Sequence, residues 1–336
     1  ESNPFHNISH IPNLTNSIQD NNIRSIFRDE NENIWFGTEN GISKLDPQQN
    51  WTNYSDHPKL MNTAILTLNG FRDNKLLLGT YGEGLLSFDP DNVQVSEYEF
   101  GPNENPSKFI FTSLVNDEGR EIWLGGNDRS LSHYRDGVLI SRYSVTMVKC
   151  MVEAGDSRYY VGSDHGLFEI NTRNQSLRQI TPSGIDEFDQ IYGLHLDWTT
   201  GLLWVGNYDG LFSYDTQSGE TVHVSKNSAV ELGTVYSIQS DRSRNLWLGT
   251  ISGLWKYSIE DELFRSYNEK DGVLIDEFGI GASATFRDGV LAFGGPKGAV
   301  LFDPSRLKKS PVPSTIFVSD FLVNGIAVDS SILQND

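Results

Sequence analysis

The sequence predicts an all-β fold, a seven-bladed β-propeller of four-stranded blades over residues 1–312, with the ring closed by the N-terminal strand. Three observations carry that prediction. A short segment with a glycine after an apolar step recurs seven times, its copies are spaced like propeller blades, and no apolar stripe of helical period and length interrupts them. The copies are NIWFGTENGI (33–42), KLLLGTYGEGL (75–85), EIWLGGNDRSL (121–131), RYYVGSDHGL (158–167), LLWVGNYDGL (202–211), NLWLGTISGL (245–254) and VLAFGGPKGAV (290–300). Their anchoring glycines, Gly37, Gly79, Gly125, Gly162, Gly206, Gly249 and Gly294, lie 42, 46, 37, 44, 43 and 45 residues apart. That is the length of four short strands and their turns.

Each repeat has the same parts. An alternating apolar run comes first: IRSIF, AILTL, FIFTSLV, VKCMV, IYGLHL, VYSIQS or ASATF. A polar turn follows, often opened by aspartate (Asp29, Asp117, Asp197, Asp241). The Trp-Φ-Gly strand is next; Trp35, Trp123, Trp204 and Trp247 are expected to fill the space between neighbouring blades, where burial contributes on the order of 2–3 kcal/mol each. The glycine after it permits close backbone approach. The next turn ends on glycine in six copies, where φ > 0 is needed, and on Ser130 in one, which predicts strain or a different turn there. A third strand often ends at Asp-Pro, and a fourth carries an outward aromatic or apolar position (Tyr54, Tyr98, Tyr143, Val224, Tyr267).

The seventh copy has a third strand, GAVLFDP, but meets LKKSPVPS where its fourth should be. The segment NPFHNISHI (3–11) is a spare strand, so it is expected to pair into the last blade and close the ring, removing open sheet edges. Beyond Pro311 and Pro313, TIFVSDFLVNGIAVDSS reads as two strands about Asn324-Gly325, the start of another β domain over residues 313–336.

Composition bounds the function. Net charge is −19, from 26 Lys+Arg against 45 Asp+Glu. A surface this acidic repels a phosphate backbone and an anionic membrane, so nucleic acid and direct membrane contact are not expected partners. No stretch is long and apolar enough to span a bilayer, and no signal peptide precedes Glu1, so the chain reads as a mature or excised soluble part. The single Cys150, in the apolar run Met147–Val152, excludes an internal disulfide and reads as a buried, unreactive thiol.

The repeat D-x-x-x-x-I/L-W-Φ-G-T-x-x-G-L-x-x-Φ-D resembles the two-component regulator propeller repeat. The segment from Tyr267 to Pro304 is similar to that family's final blade, and PSTIFVSDFLVNGIAV to the opening of the β-sandwich domain that follows it. The resemblance covers nearly the whole chain. It implies the membrane-proximal propeller, plus a truncated β-sandwich stub, of the periplasmic region of an inner-membrane hybrid two-component histidine kinase of the Bacteroidetes type. It further implies a second propeller in the same chain, a homodimer through the full-length receptor, and a glycan-derived oligosaccharide as signal. The family's ligand often sits where two propellers face each other. Kinase residues are absent from this sequence, so the segment itself is not expected to be an enzyme.

The chemical motifs are weak. No P-loop and no helix-opening G-x-G-x-x-G occurs, and GTYGEG lacks the lysine. Asp29, Asn31 and Asn33 alternate as in a calcium loop, but positions six and twelve are Ile34 and Asn40, so a hairpin turn is the better reading. His165 and His195 have no second histidine at metal spacing, and GSDHG is not a nucleophile elbow. No metal, cofactor or catalytic residue is expected. Propeller geometry instead points to one face, where the turns between second and third strands meet the loops into the next blade. Those turns present Tyr81, Glu83, Asn127, Asp128, Arg129, Asp164, His165, Tyr208, Asp209 and Lys297, with Glu39 and Asn40 in the first copy. Aromatic faces, amides and carboxylates suit a sugar ring, and Arg129 and Lys297 suit a uronate or sulfate. The alternatives are a protein-interaction scaffold and a polysaccharide-degrading propeller enzyme, which would need paired carboxylates or a Tyr/His base with a metal on that face.

Overall fold

A computed structural model describes residues 3–102, 104, 106–116, 119–183, 188–307, 322–323 and 326–327. Seven four-stranded antiparallel sheets form the predicted propeller. Blades 1 to 6 are β2–β5 (23–53), β6–β9 (65–97), β10–β13 (110–143), β14–β17 (148–180), β18–β21 (193–223) and β22–β25 (235–267). Blade 7 joins β26–β28 (283–302) to β1 (Phe5–Ile8). The inner strands touch in cyclic order, and β26 meets β2 to complete the ring. β1 is the outer strand of the last blade, in register from Phe5↔Phe302 to Ile8↔Ala299, with Phe5 and Ile8 buried.

The compact unit runs from Glu1 to Pro304 and residues 305–336 form a second unit. The expected boundary at 312/313, and most of the segment read as a β-sandwich stub, lie outside the described residues. Of the hairpin expected there, Leu322↔Ala327 and Val323↔Ile326 pair as antiparallel strands.

The core lies between blades, as the repeats require. Trp35 packs with Leu76, Leu78 and Phe88 of blade 2, and Trp204 with Val235, Leu246 and Leu248 of blade 6. Each anchoring glycine lets the next inner strand close in: a Cβ on Gly206 would stand 2.7 Å from Val235 Cγ1. The six turn glycines all take positive φ, from +76° at Gly84 to +128° at Gly298. Ser130 does not, and its turn differs from the others. Three of the fourth-strand aromatics are not outward. Tyr54, Tyr143 and Tyr267 turn in over the tryptophan of their own blade, with centroids 5.9, 5.9 and 5.0 Å away, and are at most 8% exposed. The indole's area makes that inward contact more favourable than solvent.

The aspartate turns lock the tryptophans. Asp29 Oδ1 accepts the Asn31 and Asn33 N–H groups, and its Oδ2 accepts the Trp35 indole N–H at 2.7 Å. Asp241 does the same for Trp247 at 3.0 Å. The would-be calcium spacing is thus used to close a turn and hold an indole.

Burial disfavours the charged form of three histidines, one of them in this core. His133 stacks on Trp123 at 4.1 Å and is 6% exposed; burial pushes its pKa down, against the pull of Glu121. Burial lowers His195 and His223 as well. A lowered folded-state pKa means the unfolded chain binds protons more readily, so this stability is present above the ordinary value of 6.5 and is lost as pH falls through the folded values. The melting temperature is therefore expected to drop between about pH 7 and pH 5, before most carboxylates titrate. His133→Phe keeps the stacked ring and should flatten that slope; an unaltered pH profile in this variant would show that His133 does not contribute.

Candidate ligand site at the channel mouth

Each inner strand starts at the face where second-to-third-strand turns pack on the loops entering the next blade, as in the bonds from Gly41 N to Thr63 O and from Ile251 N to Thr234 O. Near that start the ladder slips by one residue in five blades, between Ile23 and Ser25, Ile65 and Thr67, Ile110 and Thr112, Val148 and Cys150, and Val235 and Ser237. The extra residues are Arg24, Leu66, Phe111, Lys149 and Tyr236. Tyr192 and Gly281 hold the same place in blades 5 and 7, one residue before the partners of Gly206 and Gly294. A bulge re-aims a side chain. All of these except Arg24 line the central cavity of about 280 Å³.

The aromatic and charged members form an arc. Tyr81 packs edge-on against Phe109 (4.9 Å) and parallel to Phe111 (6.3 Å). Lys149 Nζ stands 4.7 Å over the Phe111 ring and 3.5 Å from Asp164 Oδ2. The Asp164 carbonyl accepts the Gln190 N–H, and Gln190 Oε1 accepts the Tyr192 hydroxyl at 2.9 Å. Tyr192 leans on Tyr236 at 5.5 Å. Deeper, hydroxyls and amides stitch neighbouring blades: Asn69 to Ser113 to Thr67, and Gln239 to Ser283 and Thr285. Cys150 turns its thiol to the Ile191 carbonyl, and burial pushes its pKa up to about 12, so it is a wall atom and not a nucleophile.

The predicted face residues divide by place in the turn. In three turns the first residue after the strand faces the mouth: Glu39 lies 3.7 Å from Arg24, Tyr81 reaches Phe111, and Asp164 reaches Lys149. The second turns to the rim: the His165 carbonyl accepts from Gln179 on the outer strand, and Asp209 is held by His223 on its own. Tyr208 is 53% exposed. Glu83, Asn127 and Arg129 are exposed, and Asp128 half-buried, on their turns. Lys297 is bound to Asp276 at 2.7 Å, so its charge is already paired. The turns alone did not reveal Phe111, Lys149, Tyr192 or Tyr236. Their signal was in the inner-strand runs, where a lysine between Val148 and Cys150 breaks the alternation.

The mouth thus offers aromatic faces, one ammonium paired to a carboxylate, and amide and hydroxyl groups, which is chemistry for holding a polar ring. Among the described residues no three His, Cys, Asp or Glu cluster as a metal site. No helix there is long and apolar enough to cross a membrane.

Fold and repeat together define a seven-bladed propeller built from one recurring blade unit. The family model described as two component regulator propeller matches residues 17–40, and the resemblance drawn from the repeats is borne out. The chain is 24% identical over 348 residues to Histidine kinase P4 of Formosa agariphila, covering 94% of this chain and 25% of that protein. It therefore spans about a quarter of that curated relative's length. The extracellular domain of the putative hybrid two component system BT3049 from B. thetaiotaomicron aligns with a TM-score of 0.75 at 17% identity, over 98% of this chain and 46% of that one. That of the putative one component system BT4673 from the same organism gives 0.73 at 17%, over 89% and 40%. A streptogramin B lyase shares the fold at 0.64 and 14% identity, over 88% and 96%.

Proposed function

We infer that this propeller is an extracytoplasmic sensor module of a hybrid two-component receptor, in which the channel mouth takes a glycan-derived oligosaccharide. The receptor spans the inner membrane as a dimer, faces the periplasm, and carries the histidine kinase beyond this chain. The carrying observation is the arc Tyr81–Phe111–Lys149–Asp164–Tyr192: aromatic faces for a sugar ring beside groups that donate and accept hydrogen bonds. A second observation bears on what covers it. Of twelve exposed large hydrophobic side chains among the described residues, seven lie on loops of this face: Ile11, Leu14, Met61, Tyr81, Tyr208, Ile251 and Leu274. Apolar side chains gathered on one face suit a protein surface, here a second propeller of the same chain, with ligand held between the two. A ligand relays a signal only through different affinity for the two receptor states.

Calorimetry of the whole periplasmic region against a panel of glycan fragments tests this reading. One fragment class should bind, and Tyr81→Ala or Lys149→Ala should each weaken it about tenfold, or ~1.4 kcal/mol. Binding to no fragment would sink the oligosaccharide reading and leave the scaffold role.

A further inference from the structure

The opposite face carries a second cleft, between blades 5 and 6. It encloses about 240 Å³ and is lined by Trp198, Asp197, His195, Ser240, Arg244 and Ile259, with Leu196, Thr199 and Leu246 completing the wall. Its origin lies in a departure from the repeat. In blades 1 and 6 the turn aspartate stands six residues before the blade tryptophan and holds its indole N–H. In blade 5 the turn is one residue longer, so Asp197 stands seven before Trp204. Trp204 Nε1 is buried and has no hydrogen-bond partner among the described residues. Asp197 turns instead to the next blade, with Oδ2 2.5 Å from Arg244 Nη2.

The same longer turn displays Trp198, which at 65% is the most exposed large hydrophobic side chain among the described residues. It is braced. Gly155 of blade 4, at φ +67°, leaves room for the indole edge; a Cβ there would come 3.2 Å from Trp198 Cζ3. The blade thus gives up a buried indole bond and gains an open aromatic platform beside a carboxylate–guanidinium pair.

The pair's charges cancel, so the cleft offers no net charge to an ion, and a chain of charge −19 opposes an anion. What the pair does offer is an acceptor and a fixed donor fork side by side, which matches adjacent hydroxyls that each donate and accept. The Ser240 hydroxyl and the His195 ring add to that set. The cleft is smaller than the roughly 300–1,000 Å³ of sites for drug-sized ligands, which suits a single six-membered ring. We propose that this cleft is a second binding site, for one neutral pyranose, with its apolar ring face on Trp198 and adjacent hydroxyls shared by Asp197 and Arg244. It stands apart from the channel mouth and does not depend on it.

The probes are the methyl glycosides of glucose, galactose, mannose and N-acetylglucosamine, titrated into the 336-residue chain and followed by saturation-transfer NMR and indole fluorescence. At least one should bind saturably with a dissociation constant on the order of 1 mM, the range open to a ligand of about 13–16 heavy atoms. Trp198→Ala, on an exposed side chain, should weaken it about tenfold or more with the melting temperature unchanged, and Arg244→Gln should weaken it by a similar factor. Trp198→Phe, which keeps a ring, should weaken it less, and Tyr81→Ala should leave it intact. No saturable binding up to about 50 mM, or binding that survives Trp198→Ala, overturns the proposal. Binding removed by Tyr81→Ala alone belongs to the channel mouth and overturns it equally.

Discussion

Deleting residues 1–12 should lower the melting temperature by about 10 °C or more and drive the protein into oligomers. β1 is the outer strand of blade 7, and it buries Phe5 and Ile8 at 3% and 4% exposure. Phe5 packs on Tyr267 and Phe302, with centroids 5.7 and 5.0 Å apart, and so joins blade 6 to blade 7. Ile8 belongs to the cluster that holds Ile18, Ile23 and Phe36 of the first blade and the loop before it. Asn7 ties down the loop into blade 7, giving its Nδ2–H to the Gly272 carbonyl and accepting the Leu274 N–H at its Oδ1. Burying the two apolar side chains contributes about 4–6 kcal/mol. For a domain of this size that alone corresponds to about 6–9 °C. The deletion also bares β28 (Gly298–Phe302), a strand buried along its length, as a flat apolar edge. Scanning calorimetry with size-exclusion chromatography reads both effects, and Phe5→Ala should reproduce about half of the shift without shortening the chain. An unchanged melting temperature in the deletion would mean that the ring does not depend on this closure.

The ring was legible in the sequence because its physics repeats. Gly206 must admit Val235, Trp35 must fill the gap to blade 2, and Gly41 must take a positive φ; every copy faces the same demand and gives nearly the same letters. The missing fourth strand of the last copy was legible for the same reason, since a repeat lacking one part predicts the segment that replaces it. The site was legible only as a face. A turn sequence does not give distance from the axis, so Asp164, whose carboxylate reaches Lys149, read no differently from Asp209, whose backbone carbonyl lies against the His223 ring. The bulge residues were hidden because strand alternation assigns each letter to one side of a sheet, and one inserted residue changes that assignment locally. The inward turn of Tyr54 was hidden because its partner, Trp35, lies two strands away in the same blade.

Trp247→Ala should cost about 3–5 kcal/mol. The side chain is 1% exposed and touches Tyr267 and Phe302 at 5.0 and 4.7 Å, so its loss opens a cavity between blades 6 and 7. The more informative comparison is with phenylalanine at two equivalent positions. Trp247→Phe keeps most of the ring but removes the N–H that Asp241 accepts at 3.0 Å. A hydrogen bond to a charged group is worth roughly 1.5–3 kcal/mol, although Asn245 still satisfies part of that carboxylate. Trp204→Phe removes no such bond, because its Nε1 has no partner among the described residues, and it relieves a buried, unpaired donor. The two substitutions delete the same atoms from equivalent inter-blade sites. Denaturant unfolding should therefore show Trp247→Phe as the more damaging by about 1–3 kcal/mol. Equal losses would mean that ring volume alone decides the position, and that the aspartate of the repeat serves its turn and not the indole. A larger loss at Trp247 assigns to Asp241 the locking role that Asp197 has left for Arg244, and makes the blade-5 turn a departure that the fold tolerates at measurable expense to its own stability.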